Sequence, residues 1–265
     1  RQRQMCIRDS YEYDLNNHKA YFIADMEAEI LRRGEVSSII KQKTDYFIGF
    51  KSSGLIQLKY MPDSKVKYSL QSINVQSGIF CLMKDRFQDI IWVGADGQGL
   101  YMYFTDEFSI DNIMLDVPEY RVDNPVRALY QDQDQTLWIG TKGGGILKMF
   151  DFHPDMETLP RAERILASNS PLMDNSVYSF APSRRKLLWI GTESGLNYYS
   201  YSQKRIQEFP VMADGKMVKY VHSVRETNDS TLWVVSAGEG IVKIILDATS
   251  LLPKVKSARR FTLDG

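Results

Sequence analysis

The sequence predicts an all-β fold made of repeated four-stranded units. An aromatic residue recurs in a short apolar phrase, and its successive positions lie 45, 46, 51 and 44 residues apart. The aromatic positions are Phe47, Trp92, Trp138, Trp189 and Trp233, and the glycines two places later are Gly49, Gly94, Gly140 and Gly191, with Val235 in the fifth phrase. A period of about 40–45 residues is that of one four-stranded propeller blade. The sequence therefore predicts a β-propeller built from four-stranded antiparallel blades.

Each repeat contains segments for four strands. The first strand begins 11 to 13 residues before the aromatic position, at Val36, Ile79, Val126, Val177 or Val221. Small residues follow in this strand, which suits the innermost position, where blades converge. A polar hairpin turn leads to the aromatic-bearing second strand, and a glycine-containing turn leads to the third. The more variable fourth segment is typical of an exposed outer strand.

The repeats define the expected limits of the blades. Complete blades are expected at residues 35–77, 78–124, 125–175, 176–219 and 220–265, after a leading half-blade at 11–34. We therefore expect about five complete blades plus the half-blade, a fragment of a larger propeller. Residues 1–10 fit no column of the repeat and are interpreted as a non-native or disordered head. Residues 159–175 lengthen one repeat and are expected to form a solvated surface loop.

Charge and cysteine content exclude several classes of protein. Lys plus Arg number 33 and Asp plus Glu number 33, so no net field would attract nucleic acid or an anionic membrane. No apolar run approaches the roughly 18 residues of a membrane-spanning helix. The two cysteines, Cys6 and Cys81, form no disulfide framework and no metal-binding pair.

The composite phrase of the fourth repeat resembles the two-component regulator propeller repeat. It runs from Asn175-Ser-Val177 through Leu188-Trp-Ile-Gly-Thr192 to Gly195-Leu196, and residues 124–147 match it equally well. The resemblance extends over residues 11–265, with departures at Phe47 and Val235. It implies a sensor region, not an enzyme, from the periplasmic part of hybrid two-component histidine kinases, which are common in gut Bacteroidetes.

In that family, two propellers precede a further β domain, a membrane helix and the kinase. The resemblance therefore implies that this chain binds a small molecule, an oligosaccharide released from dietary or host glycans. It implies partners in the remaining propeller, membrane and kinase segments of the full-length protein, and it is compatible with a homodimer formed through that protein.

Several motifs with catalytic or metal-binding appearance have simpler interpretations. Gly140 to Gly145 has the glycine spacing of a phosphate loop, but Ile146 stands where the lysine is required, which favours a turn. Asp132-Gln-Asp134 lacks the glycine of a calcium loop. His18 and His153 are expected in exposed loops, and no histidine has metal-ligand spacing. We expect no cofactor, metal or catalytic residues.

One inner-strand column varies freely and is the predicted ligand site. Directly after the leading Val or Ile stand Ser37, Phe80, Arg127, Tyr178 and His222. Aromatic faces stack on sugar rings, and guanidinium or imidazole groups hydrogen-bond to hydroxyls. We therefore predict Phe80, Arg127, Tyr178 and His222 as ligand-binding residues at the channel or its mouth. The alternative is that these side chains only fill space between blades or face water.

Two other functions remain open from the sequence. A propeller enzyme similar to the streptogramin lyases would need an acid and base pair, such as His222 with Glu226 or Asp174. A protein-interaction scaffold would use the rim, and an exposed apolar patch would favour it.

Overall fold

The computed structural model describes residues 9–25, 27–64, 68–113, 121–153, 160–250 and 252–262. The chain divides into two compact units, one formed by Arg1–Asp96 with Leu100–Asn112 and the other by Gly97–Gly99 with Ile113–Gly265. Within the described residues the strands form five four-stranded sheets, each ordered as in the sequence. These sheets and a leading two-stranded sheet confirm the predicted all-β class, with five blades and a half-blade.

The first unit contains the half-blade and two sheets. The half-blade pairs β1 (Asp9–Asp14) with β2 (Lys19–Asp25). A short helix that the sequence did not predict, α1 (Glu27–Arg33), follows it. The first sheet comprises β3 (Val36–Gln42), β4 (Asp45–Phe50), β5 (Leu55–Tyr60) and β6 (Tyr68–Ile73), and the second comprises β7 (Ile79–Lys84), β8 (Ile90–Ala95), β9 (Leu100–Phe104) and β10 (Ser109–Ile113).

The second unit contains three sheets and a small hairpin. The third sheet comprises β11 (Val126–Gln131), β12 (Leu137–Thr141), β13 (Ile146–Met149) and β14 (Ala162–Ile165). The fourth comprises β15 (Val177–Pro182), β16 (Leu187–Thr192), β17 (Leu196–Ser200) and β18 (Arg205–Phe209). The hairpin of β19 (Met212–Ala213) and β20 (Lys216–Met217) precedes the fifth sheet of β21 (Val221–Asn228), β22 (Thr231–Ser236), β23 (Gly240–Leu246) and β24 (Val255–Phe261).

Two sequence expectations need correction. The segment 159–175 was expected to be a loop, but Ala162–Ile165 forms the fourth strand of the third sheet. Arg164 in this strand donates to the carbonyls of Gly144, at 2.9 Å, and Arg121, at 2.6 Å. The strand β1 begins at Asp9, so the last two residues of the expected head belong to the half-blade, and residues 1–8 lie outside the described part of the chain.

The repeated aromatic residues lie on the second strand of each sheet, as predicted. Phe47, Trp92, Trp138 and Trp189 are at most 1% exposed. Within each unit the burial explains the recurrence, since the rings of Phe47, Trp138 and Trp189 pack with buried residues of the following sheet. Trp233 in the fifth sheet is only half-buried, and the Lys243 ammonium lies 5.4 Å from its ring centroid.

The repeated glycine allows the next inner strand to approach. A Cβ at Gly140 would lie 2.8 Å from Val177 Cγ1, and one at Gly191 would collide with the Val221 carbonyl. Val177 and Val221 begin the inner strands of the following sheets, so packing density between sheets requires glycine here. Val235 is 43% exposed, so its position in the fifth sheet has room for a side chain.

The buried indoles donate to carboxylates. Trp92 Nε1 donates to Asp85 at 2.9 Å and Trp138 Nε1 donates to Asp132 at 3.0 Å, both within their own sheets. Asp132 also accepts from the backbone amides of Asp134 and Thr136. The Asp132-Gln-Asp134 motif is therefore a structural turn that holds a tryptophan.

Candidate ligand-binding site

The variable inner-strand column corresponds to a repeated β-bulge. In every four-stranded sheet the register shifts between the first and third residues of the inner strand, so the second residue has no direct partner on the next strand. The residues at this position are Ser37, Phe80, Arg127, Tyr178 and His222. A bulged residue is left out of the regular hydrogen-bond pairing between strands, so its side chain can point in a different direction. The identity of the residue can therefore vary. The bulge thus gives the variation of this column a structural cause.

Three of the four predicted ligand-binding residues come together in the second unit. The inner strand β15 packs beside both β11 and β21. The rings of Tyr178 and His222 lie 4.4 Å apart between centroids and are tilted by 33°. Arg127 is close enough to affect the ionisation of both. Phe80 occupies the same bulge position in the first unit, where it is half-buried.

Glu193 completes this group, although the sequence analysis did not single it out. It follows the second strand β16, and its Oε2 accepts a hydrogen bond of 2.8 Å from the Tyr178 hydroxyl. His222 is exposed, whereas Arg127, Tyr178 and Glu193 are half-buried. We call Arg127, Tyr178, Glu193 and His222 the bulge cluster.

The surroundings of the bulge cluster shift the pKa of two of its members, Tyr178 and His222. Burial raises the pKa of Tyr178 to about 12, and the nearby Glu193 carboxylate adds to the increase. Partial loss of contact with water lowers the pKa of the His222 imidazole, the positive charge of Arg127 lowers it further, and Glu193 acts in the opposite direction. At neutral pH the cluster therefore presents a protonated phenol and a neutral imidazole between one cation and one anion.

This combination suits a polar, uncharged ligand with many hydroxyl groups. The neutral imidazole has one donor and one acceptor, the guanidinium only donates, and the carboxylate only accepts. The stacked rings of Tyr178 and His222 add an apolar surface beside these groups.

In the described parts of the chain, the two pairs named for the enzyme alternative, His222 with Glu226 and His222 with Asp174, do not form a hydrogen bond. Glu226 instead accepts from Trp189 Nε1 at 2.9 Å. Asp174 accepts from the Ser176 amide at 2.7 Å and from the Ser194 hydroxyl at 2.8 Å.

The remaining motifs have structural roles. Gly143 and Gly145 have φ values of 89° and 70°, as the turn between β12 and β13 requires, so the phosphate-loop spacing is a turn. His18 and His153 are exposed, as predicted. No group of three or more potential metal ligands occurs among the residues described. Within the same residues, no helix has the length and apolar character needed to cross a membrane.

A groove between the third and fourth sheets contains a buried lysine. The Lys148 side chain is 7% exposed, and its Nζ lies 4.6 Å from the Trp138 ring centroid and 4.9 Å from that of Tyr199. Glu163 is its ion-pair partner at 3.4 Å, and burial lowers the pKa of Lys148. These contacts join the two sheets. The groove has a volume of about 540 Å³.

Comparison with known proteins confirms the family resemblance. The family model described as two component regulator propeller matches residues 121–143, which enter and span the inner and second strands of the third sheet. Histidine kinase P4 of Formosa agariphila is 27% identical over 186 residues, which are 69% of this chain and 13% of that protein. The aligned residues are thus a small part of that histidine kinase, and the matching family model is that of a two-component regulator propeller.

Solved structures share the fold. The extracellular domain of a protein described as a hybrid two-component system of B. thetaiotaomicron has a TM-score of 0.63 and 22% identity, over 83% of this chain and 28% of that one. PorZ, a surface component of the type-IX secretion system of Porphyromonas gingivalis, has a TM-score of 0.61 and 13% identity, over 87% of this chain and 34% of that one. This chain thus spans about a third or less of the length of these relatives.

Proposed function

We propose that this chain is the ligand-sensing module of a hybrid two-component system and that it binds an oligosaccharide at the bulge cluster. The observation that carries the proposal is the convergence of Arg127, Tyr178 and His222, all bulged residues, around Glu193. The bulge itself recurs in every four-stranded sheet. What supports recognition is the guanidinium, phenol and imidazole that it brings beside one carboxylate in the second unit.

The signal would pass by a shift in populations. A ligand that binds one arrangement of the protein better than another increases the population of that arrangement. The bulge cluster contains one residue from each of three inner strands. The affinity for a ligand would therefore depend on the spacing of three sheets. We propose that a kinase outside this chain reads this change, that the remaining propeller and membrane segments of the full-length protein relay it, and that the module lies in the periplasm.

The test is ligand binding by the 265-residue chain. Short oligosaccharides from partial hydrolysis of pectin, xylan and mucin glycans would be screened by thermal shift, and positive mixtures would be measured by calorimetry. A ligand that binds the folded state raises the unfolding temperature. The variants Tyr178→Phe and His222→Ala should weaken binding, whereas His18→Ala, an exposed histidine in the half-blade hairpin, should not. If no oligosaccharide mixture raises the unfolding temperature of the wild-type chain, the proposal is overturned.

A further inference from the structure

Tyr220 has two unfavourable features, an exposed aromatic ring and a left-handed backbone conformation. It immediately precedes the inner strand β21, and its side chain is 42% exposed. Its φ is +50°, in the left-handed region, which a bulky residue rarely adopts. Both features oppose stability, because water surrounds part of an aromatic ring and the backbone is strained.

Hairpin geometry does not account for this conformation. Phe108 and Lys204 also have positive φ values, but they lie in the hairpin turns between β9 and β10 and between β17 and β18, where such turns commonly need a left-handed residue. Tyr220 lies instead in the segment that leads from β20 into β21. The residues that precede the other inner strands are Glu35, Gly78, Pro125 and Ser176, so an aromatic residue is not a requirement of the repeat.

The backbone of Tyr220 is fixed beside the bulge cluster. Its amide donates to the carbonyl of Glu193 at 2.8 Å, and its carbonyl accepts from the amide of Ala237 at 2.9 Å. Glu193 is the residue whose carboxylate accepts from Tyr178, and His222 lies two residues after Tyr220. The strained backbone therefore holds an exposed aromatic residue next to the predicted ligand-binding residues.

We propose that Tyr220 is a further ligand-contacting residue and that its ring is a stacking platform for a sugar ring. This inference rests on the proposed function of the bulge cluster. A pyranose presents C–H groups on its faces and hydroxyls around its edge. The face would pack on the Tyr220 ring while the hydroxyls meet Tyr178, Glu193 and His222. Strain at a binding residue is stored where function requires a particular side-chain direction.

The experiment compares stability and binding in matched variants of the 265-residue chain. Tyr220→Gly removes the ring and relieves the left-handed backbone, so the unfolding temperature should stay unchanged or rise. The same variant should bind the oligosaccharide mixture about tenfold more weakly by calorimetry. Tyr220→Phe keeps the ring and should bind like the wild type. Phe108→Gly is the control, since it removes another exposed left-handed aromatic residue, 54% exposed, from the first unit and should leave binding unchanged.

The possible results separate this inference from the proposed function. Normal binding by Tyr220→Gly, together with weakened binding by His222→Ala, would overturn the role of Tyr220 and leave the bulge cluster as the site. A clear drop in the unfolding temperature of Tyr220→Gly would identify Tyr220 as a packing residue and would also overturn its role. A wild-type chain that binds none of the oligosaccharides would overturn both.

Discussion

Trp189 in the fourth sheet donates its indole N–H to Glu226 in the fifth sheet, at 2.9 Å. The tryptophans of the second and third sheets find their carboxylate within their own sheet, at Asp85 and Asp132. The corresponding position before Trp189 is Ser183, which lacks a carboxylate. The neighbouring sheet supplies the missing acceptor, so a buried donor of one blade depends on the next.

Loss of this acceptor should destabilise the second unit. Glu226→Ala leaves a buried indole N–H without its partner, and we expect a loss of about 1–3 kcal/mol in the free energy of unfolding. Glu226→Gln keeps an acceptor and should lose less. Denaturant unfolding followed by tryptophan fluorescence measures both. The exposed Glu208→Ala in β18 is the control, and an equal effect there would show that the hydrogen bond is not the cause.

A methyl group at Gly191 should disturb the contact between the fourth and fifth sheets. Its Cβ would meet the Val221 carbonyl and the Ser179 hydroxyl, so overpacking should reduce the free energy of unfolding by about 1–3 kcal/mol. The measurement is chemical denaturation of Gly191→Ala. Val235→Ala alters the same column of the fifth sheet, where the side chain is 43% exposed, and should change stability much less. Equal costs at both positions would contradict the packing argument.

Arg185 should stabilise the loop after β23. Its guanidinium donates to three backbone carbonyls, those of Asp229, Asp247 and Ser250, at 2.5, 3.0 and 3.0 Å. Arg185→Ala should lower the unfolding temperature and increase proteolysis near residue 250, because these carbonyls lose charged donors. The control is Arg184→Ala, whose side chain is 63% exposed and lies 3.8 Å from Asp229. Unchanged proteolysis in Arg185→Ala would show that the loop does not need the contact.

Acid should weaken the fold through His222. The folded state lowers the pKa of this imidazole below its usual 6.5, so the unfolded chain binds the proton more readily. Stability is therefore unaffected above the unfolded pKa and falls as the pH drops below about 6.5. His222→Gln should reduce this acid sensitivity in unfolding experiments across that range. A pH dependence identical to that of the wild type would exclude His222 as its source.

Titration with alkali should show the raised pKa of the half-buried Tyr178 phenol. Its pKa is raised to about 12, so it should ionise after the exposed tyrosines when phenolate absorbance is followed. The raised pKa favours folding below the unfolded value near 10, and this contribution is lost as the pH rises through the folded value. Glu193→Gln should lower the Tyr178 pKa only in part, because burial is the larger cause. Other tyrosines with raised pKa values also ionise late, so the part of the late absorbance change that Tyr178→Phe removes identifies the contribution of Tyr178.

The periodic part of the fold could be predicted because the same packing problem recurs in each blade. The aromatic residue and the glycine two places later are set by contact with the next inner strand, and these positions appear directly as columns of the sequence. The bulge at Arg127, Tyr178 and His222 could not be read in this way. A register shift is a property of hydrogen-bond pairing, and the sequence shows only that the column varies.

The elements that were missed lack a repeated signal. The helix Glu27–Arg33 and the hairpin of β19 and β20 each occur once, so no column indicates them. The strand Ala162–Ile165 has the sequence Ala-Glu-Arg-Ile and follows an unusually long connection, which favoured a loop interpretation. Glu193 was missed because its role depends on Tyr178, which lies on a different strand.

The contacts between neighbouring sheets differ from one pair to the next. Tyr103 of the second sheet donates to Gln57 of the first, Lys148 of the third lies against Tyr199 of the fourth, and Trp189 of the fourth relies on Glu226 of the fifth. Near-identical repeats face the hazard of pairing with the wrong neighbour during folding. Chemically distinct junctions give each blade its own matching partner. A chain with two blades exchanged would keep every repeat intact and still fold poorly.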